Sequence, residues 1–180
     1  MRQTKGALAS GLIAILLLAA AAQAGVLFSR LSPPKNGYER IEIGQVVPPL
    51  KAVAPDGREE SIRWSAARLS ILLVFHPECG FCEQVAPAWR DWTNQAPVRG
   101  RVLLITADSP SAASDFATEH GWNAGPYTLP PGQLDGVAAW VSRRSPWIYV
   151  VGNDRRLVYE GHGAKLSDLD DFLTSTTTRR

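Results

Sequence analysis

Ile71-Leu72-Leu73-Val74-Phe75-His76-Pro77-Glu78-Cys79-Gly80-Phe81-Cys82 passes from a continuous apolar run into a C-x-x-C motif. Five consecutive apolar residues mark a strand buried on both faces, as in a sheet covered by helices. The residues that follow, Gly80 to Gln95, read as a helix. Cys79 therefore falls at or just before a helix start, where free backbone N–H groups and the helix dipole favour an anion. A thiolate so placed has a lowered pKa and is the attacking species in disulfide chemistry. Cys82, three residues on, lies on the same helical face one turn up. It can attack a mixed disulfide formed at Cys79 and release the partner.

Working outward, Arg101–Ala107 (RVLLITA) and Trp147–Val151 (WIYVV) are two more buried runs. Leu50–Ala54 and Glu59–Trp64 read as short strands joined across Pro55-Asp56-Gly57, a hairpin signal. Arg156–Glu160 reads as a strand that follows WIYVV across Gly152-Asn153-Asp154. Further helices are expected over Ser111–His120, Gln133–Val141 and Ser167–Leu173, the last with Ser167 as N-cap. The order is hairpin, β, α, β, α, then α, β, β, α. That is an α/β fold with a central mixed sheet covered by helices and an added N-terminal β-hairpin.

The N-terminus has its own character. Gly6 to Ser29 is uncharged and strongly apolar, and Arg2 and Lys5 precede it. This is the pattern of an exported chain whose first residues stay in the cytoplasm. As a helix the stretch would span about 36 Å, enough to cross a bilayer core of about 30 Å. Ala22-Gln23-Ala24 also fits a cleavage site, so a signal anchor and a cleaved signal peptide are both open. In either case the body would face an oxidising compartment. Ser32-Pro33-Pro34-Lys35-Asn36-Gly37 reads as a linker.

Of the 19 Lys and Arg residues, two precede the apolar stretch, and the rest equal the 17 Asp and Glu. The body thus has no basic footprint, which argues against nucleic acid as a partner. With 45% hydrophobic residues the chain can bury a core. Its two cysteines are too close in sequence to staple a domain; an i, i+3 disulfide constrains little chain entropy. A zinc site could recruit His76, Cys79, Cys82 and His162, but there is no second C-x-x-C, and neither metal nor cofactor is expected.

The body resembles thioredoxin-fold proteins of the TlpA/ResA type, membrane-anchored thiol–disulfide oxidoreductases. It is also similar to the thioredoxin-like accessory proteins of methylamine dehydrogenase maturation. The resemblance runs from about Ile43 to Gly163. Ile43-Gly44-Gln45-Val46-Val47-Pro48 resembles the family's entry motif and Asp56-Gly57 its hairpin turn. Pro87, five residues after Cys82, stands where the family interrupts its first helix. Ser145-Pro146 resembles the family's cis-proline, which implies that the Ser145 backbone and Pro146 bind an extended substrate segment opposite the cysteines. The organisation implied is a signal anchor or signal peptide over 1–29, a linker over 30–42, a thioredoxin-like domain over 43–173 and a flexible tail over 174–180.

The resemblance implies disulfide exchange through Cys79 and Cys82 with exported protein thiols, in cytochrome c maturation or the assembly of another periplasmic enzyme. A redox-recycling partner, a membrane or thioredoxin-like electron donor, would then be required. Two departures bear on this. Where thioredoxins carry a buried acid six residues before the first cysteine, this chain has Leu73. Glu78, Glu83 and His76 are the remaining candidates for proton transfer or tuning. Gly80-Phe81 lacks the proline common in the family's inner dipeptide, which leaves the direction of electron flow open. Trp147 reads as a core aromatic or a wall of the substrate groove, and His162, between two glycines, as an exposed residue of a flexible loop. Copper delivery on the same fold is the alternative function, but its histidine precedes the third buried strand, where Ser145-Pro146 stands here. A thiol peroxidase would need a hydroxyl residue at position 76.

Overall fold

The structure, a computed structural model, describes residues 41–64, 69–95, 100–131 and 139–177. The apolar N-terminal stretch, nearly all of the linker and most of the expected helix over Gln133–Val141 lie outside these residues. Among the described residues no helix is long and apolar enough to cross a membrane.

A seven-stranded sheet organises the described body. The strands are β1 (Leu50–Val53), β2 (Glu59–Ile62), β3 (Leu69–Val74), β4 (Gly100–Thr106), β5 (Tyr127–Thr128), β6 (Trp147–Val151) and β7 (Leu157–His162). Their spatial order is β2-β1-β5-β4-β3-β6-β7. β3 runs parallel to β4 and antiparallel to β6, so the strand that leads to the cysteines is central. From Ser70 onward it is entirely buried, as its apolar run requires. The expected hairpin is present as β1 and β2, turning at Gly57. There φ is +82°, a conformation that glycine adopts without a Cβ penalty.

Among the described residues, four helices complete the body: α1 (Gly80–Gln95), α2 (Pro110–Glu119), α3 (Ala139–Ser142) and α4 (Leu166–Thr177). The period-two alternation of the strands sends side chains to two cores. Ile71, Leu73, Phe75, Leu104, Ile148 and Val150 pack with Cys82 and Trp89 of α1, Phe116 of α2 and Leu169 of α4. Leu72, Val74, Leu103, Ile105, Tyr149 and Val151 pack on the other face with Leu50, Ile62, Trp64, Trp140 and Val141. The expected α/β mixed sheet with an N-terminal hairpin is the observed architecture.

Three local expectations need correction. β5, only two residues long, escaped the sequence reading; it exists because Val53 pairs with Thr128 while Ile105 and Thr106 pair with Tyr127 and Thr128. Ser167 is not the N-cap of the last helix, which already includes Leu166 and continues to Thr177, into the expected polar tail. His162 is exposed, as expected, but it ends β7 in register with Trp147 rather than lying in a flexible loop.

Candidate active site

The site forms where β3 ends. Phe75 N–H still donates to the Ile105 carbonyl, holding the chain to β4. The chain then turns, with Cys79 N–H donating to His76 O at 3.0 Å. The Cys79 carbonyl accepts from Cys82 N–H at 2.8 Å and Glu83 N–H at 3.1 Å. Cys79 is thus the N-cap of α1, with its sulfur in the position of a capping acceptor. α1 runs on through Pro87. A proline there has no N–H to give the Glu83 carbonyl one turn back.

Both thiols are free, and their surroundings differ. Cys79 is half-buried and Cys82 is 1% exposed. Burial pushes the Cys79 thiol up, but donors outweigh it: the Cys82 thiol, the N–H groups of Cys82 and Phe81, and the Ser145 side chain together hold its pKa below the ordinary thiol value. For Cys82, burial dominates. Although His76 N–H donates to its sulfur at 3.4 Å, burial and the neighbouring Cys79 push its pKa up to about 12. Leu73, where a carboxyl would offer a proton acceptor, is fully buried in the same apolar cluster.

Ser145 and Pro146 close the site from the other side. Their peptide bond is cis, and Ser145 O lies 3.9 Å from Cys79 Sγ. Pro146 O accepts from Gly163 N–H at 3.0 Å. Trp147 is half-buried, but it packs with Val74 on the face opposite Cys82. Arg144 lies over its ring at 4.7 Å, and His162 meets its edge at 6.0 Å. It is a core aromatic with a partly open face. Glu78 and Glu83 are both exposed beside the motif.

His76 is the most connected of the remaining candidates. Its Nδ1 accepts the Glu78 N–H at 3.2 Å, and its Nε2 lies 3.5 Å from Asp108 Oδ1. Asp108, just after β4, escaped the sequence reading. The available signal was positional: adjacent parallel strands bring their carboxyl ends together. Among the described residues, no group of three or more His, Cys, Asp or Glu side chains is placed to hold a metal ion.

No protein-family model and no curated protein sequence matches this chain. Solved structures do. The thioredoxin domain of a thiol–disulfide oxidoreductase from Bacteroides vulgatus superposes with a TM-score of 0.57 at 13% identity, over 67% of this chain and 88% of that one. A thiol:disulfide interchange protein from Bacteroides sp. gives 0.58 at 14% identity, over 67% and 82%. A peroxiredoxin-like protein from Aquifex aeolicus gives 0.55 at 11%, over 68% and 76%. At these identities the likeness speaks to architecture, and this chain has the thioredoxin-like fold, with Cys79 at the N-terminus of α1 facing the Ser145-Pro146 bond.

Proposed function

We propose that this chain exchanges disulfides with protein thiols through Cys79 and Cys82. The observation that carries this reading is the asymmetry of the pair: a half-buried thiol at a helix N-terminus facing the cis Ser145-Pro146 bond, its pKa held below the ordinary value, beside a fully buried thiol whose pKa is raised. Cys79 thiolate attacks a substrate disulfide, forming a mixed disulfide and expelling one substrate thiolate. The Cys82 thiol gives up its proton and attacks Cys79 Sγ. The second substrate thiolate leaves, and Cys79–Cys82 becomes a disulfide. Two electrons have passed to the substrate, so turnover needs a dithiol donor as second partner. The reverse sequence oxidises a substrate dithiol.

The TlpA/ResA resemblance supports exported proteins as the substrates, among them c-type cytochrome precursors or another maturing periplasmic enzyme. The uncharged stretch Gly6–Ser29 supports delivery to the outer side of an inner membrane, either anchored or released after cleavage. Among the described residues nothing in the geometry favours copper delivery: His162 Nδ1 accepts Ala164 N–H, and its ring meets Trp147.

The test is a pair of variants in the full chain. Cys79→Ala is expected to abolish disulfide exchange, and Cys82→Ala to accumulate mixed disulfides visible on non-reducing gels. Exchange at the wild-type rate in Cys79→Ala would sink the proposal.

A further inference from the structure

We infer that Asp108 is a positioning residue for the thiol site, acting through the His76 ring; the inference rests on the exchange reading above. Four atoms of His76 are committed to the cysteine loop and its neighbour. The backbone N–H reaches Cys82 Sγ, and the carbonyl accepts Cys79 N–H. Nδ1 accepts Glu78 N–H, and Nε2 faces Asp108 Oδ1.

The ring bonds assign the tautomer. A nitrogen that accepts an N–H carries no proton, so neutral His76 is protonated at Nε2, towards Asp108. Asp108 is itself held. Its Oδ2 accepts from Thr106 Oγ1 at 2.7 Å, and its own N–H donates back to that hydroxyl at 3.2 Å. Thr106 is fully buried in β4. A rigid strand end therefore orients a carboxylate, the carboxylate orients an imidazole, and the imidazole fixes the N–H of Glu78, next to Cys79. With both nitrogens engaged, the ring positions the loop and leaves the Cys82 proton to other groups. The titratable groups around the ring are Asp108 after β4, Glu78 in the loop, and Cys79 and Cys82 at α1.

Two effects of removing Asp108 have opposite signs. Loss of a nearby negative charge alone would lower the Cys79 pKa. Loss of positioning would raise it, because the N–H groups of Phe81 and Cys82 would no longer be held against the sulfur.

The experiment is the pH profile of Cys79 alkylation in the full chain, read by mass spectrometry for wild type, Asp108→Ala, Asp108→Asn, His76→Ala and the His76→Ala/Asp108→Ala double variant. Asp108→Ala is expected to shift the Cys79 midpoint upward by about half a unit or more. Asp108→Asn keeps an acceptor for Nε2–H but loses the charge, and its midpoint is expected at or slightly below that of wild type, never above it. The double variant is expected to match His76→Ala alone, since Asp108 works only through the ring. A downward shift shared by Ala and Asn would show a simple charge effect and overturn the inference. So would an unchanged midpoint in Asp108→Ala, even if that variant unfolds at lower temperature. A separate arm incubates wild type with glutathione disulfide. Failure there to form either a Cys79 mixed disulfide or the Cys79–Cys82 disulfide that follows from it would overturn the exchange reading itself.

Discussion

Trp89 Nε1–H donates to the Gly163 carbonyl at 2.8 Å, across 74 residues of chain. Gly163 N–H in turn donates to Pro146 O. One residue thus links the middle of the cysteine helix to the proline facing the cysteines. Gly163 has no room for a side chain: a Cβ there would lie 2.5 Å from the Trp89 ring and 2.6 Å from Pro146 Cβ. Gly163→Ala is expected to destabilise the fold by about 1–3 kcal/mol through overpacking. Trp89→Phe removes the donor and leaves a buried carbonyl unpaired, at a cost of about 1–3 kcal/mol. Urea unfolding of both variants checks this; a change below about 0.5 kcal/mol in either, the range of an ordinary surface substitution, would refute the linkage.

Phe81, between the cysteines, is 67% exposed. A large apolar side chain left in water beside a reactive thiol contributes little to folding and is available to a partner. Phe81→Ser is expected to change stability by less than about 0.5 kcal/mol. Under the exchange reading, it raises KM for a protein disulfide and leaves reaction with glutathione disulfide unaltered. Steady-state kinetics on both substrates separate the two effects.

Leu73 occupies a fully buried position in the cluster that holds Cys82. Leu73→Asp would place a carboxyl in that apolar environment, where desolvation raises its pKa. The sign follows from linkage. The folded state favours the protonated carboxyl, so the variant loses stability as pH rises from the unfolded pKa of about 3.9 towards the raised folded value. Urea unfolding at acid and at mildly alkaline pH is expected to show the larger deficit, relative to wild type, at alkaline pH. Equal deficits would mean that the carboxyl has found water.

The parts of this molecule that the sequence makes legible are those buried on both faces or bound to a motif. ILLV, VLLIT and WIYVV lie in strands because no solvated face interrupts them. Cys79, Cys82 and Pro146 carry their positions in short patterns, and the structure brings Cys79 and the Ser145-Pro146 bond together. Tyr127–Thr128 carries no pattern; two residues have no period, and neighbours on both sides make them a strand. The same limit hides Asp108. Its approach to His76 follows from the register that sets Val74 opposite Ile105, a tertiary fact absent from either segment alone. The glycines around His162 mislead for another reason. They suggest a loose loop, but a Cβ on Gly161 would meet the tip of the Tyr159 side chain, and Gly163 admits Trp89. Close packing, rather than freedom, requires glycine at position 163.

The two thiols are expected to impose opposite pH dependences on the reduced protein. Folding lowers the Cys79 pKa, so this thiolate adds stability as pH rises through its folded pKa, and the contribution is complete above the unfolded value of about 8.5. Folding raises the Cys82 pKa to about 12, so its neutral thiol supports the fold below the unfolded value. That support is lost as pH climbs from about 8.5 towards the folded pKa, because the unfolded chain ionises first. Reduced wild type is therefore expected to lose stability through the alkaline range, and Cys82→Ala to lose less over the same interval. Alkylation tracks the same asymmetry: near neutral pH iodoacetamide is expected to label Cys79, with Cys82 reacting only after unfolding. Urea unfolding across this range, with peptide mapping of the label, tests both statements. Equal labelling of the two thiols in the folded protein would remove the asymmetry on which the exchange chemistry rests.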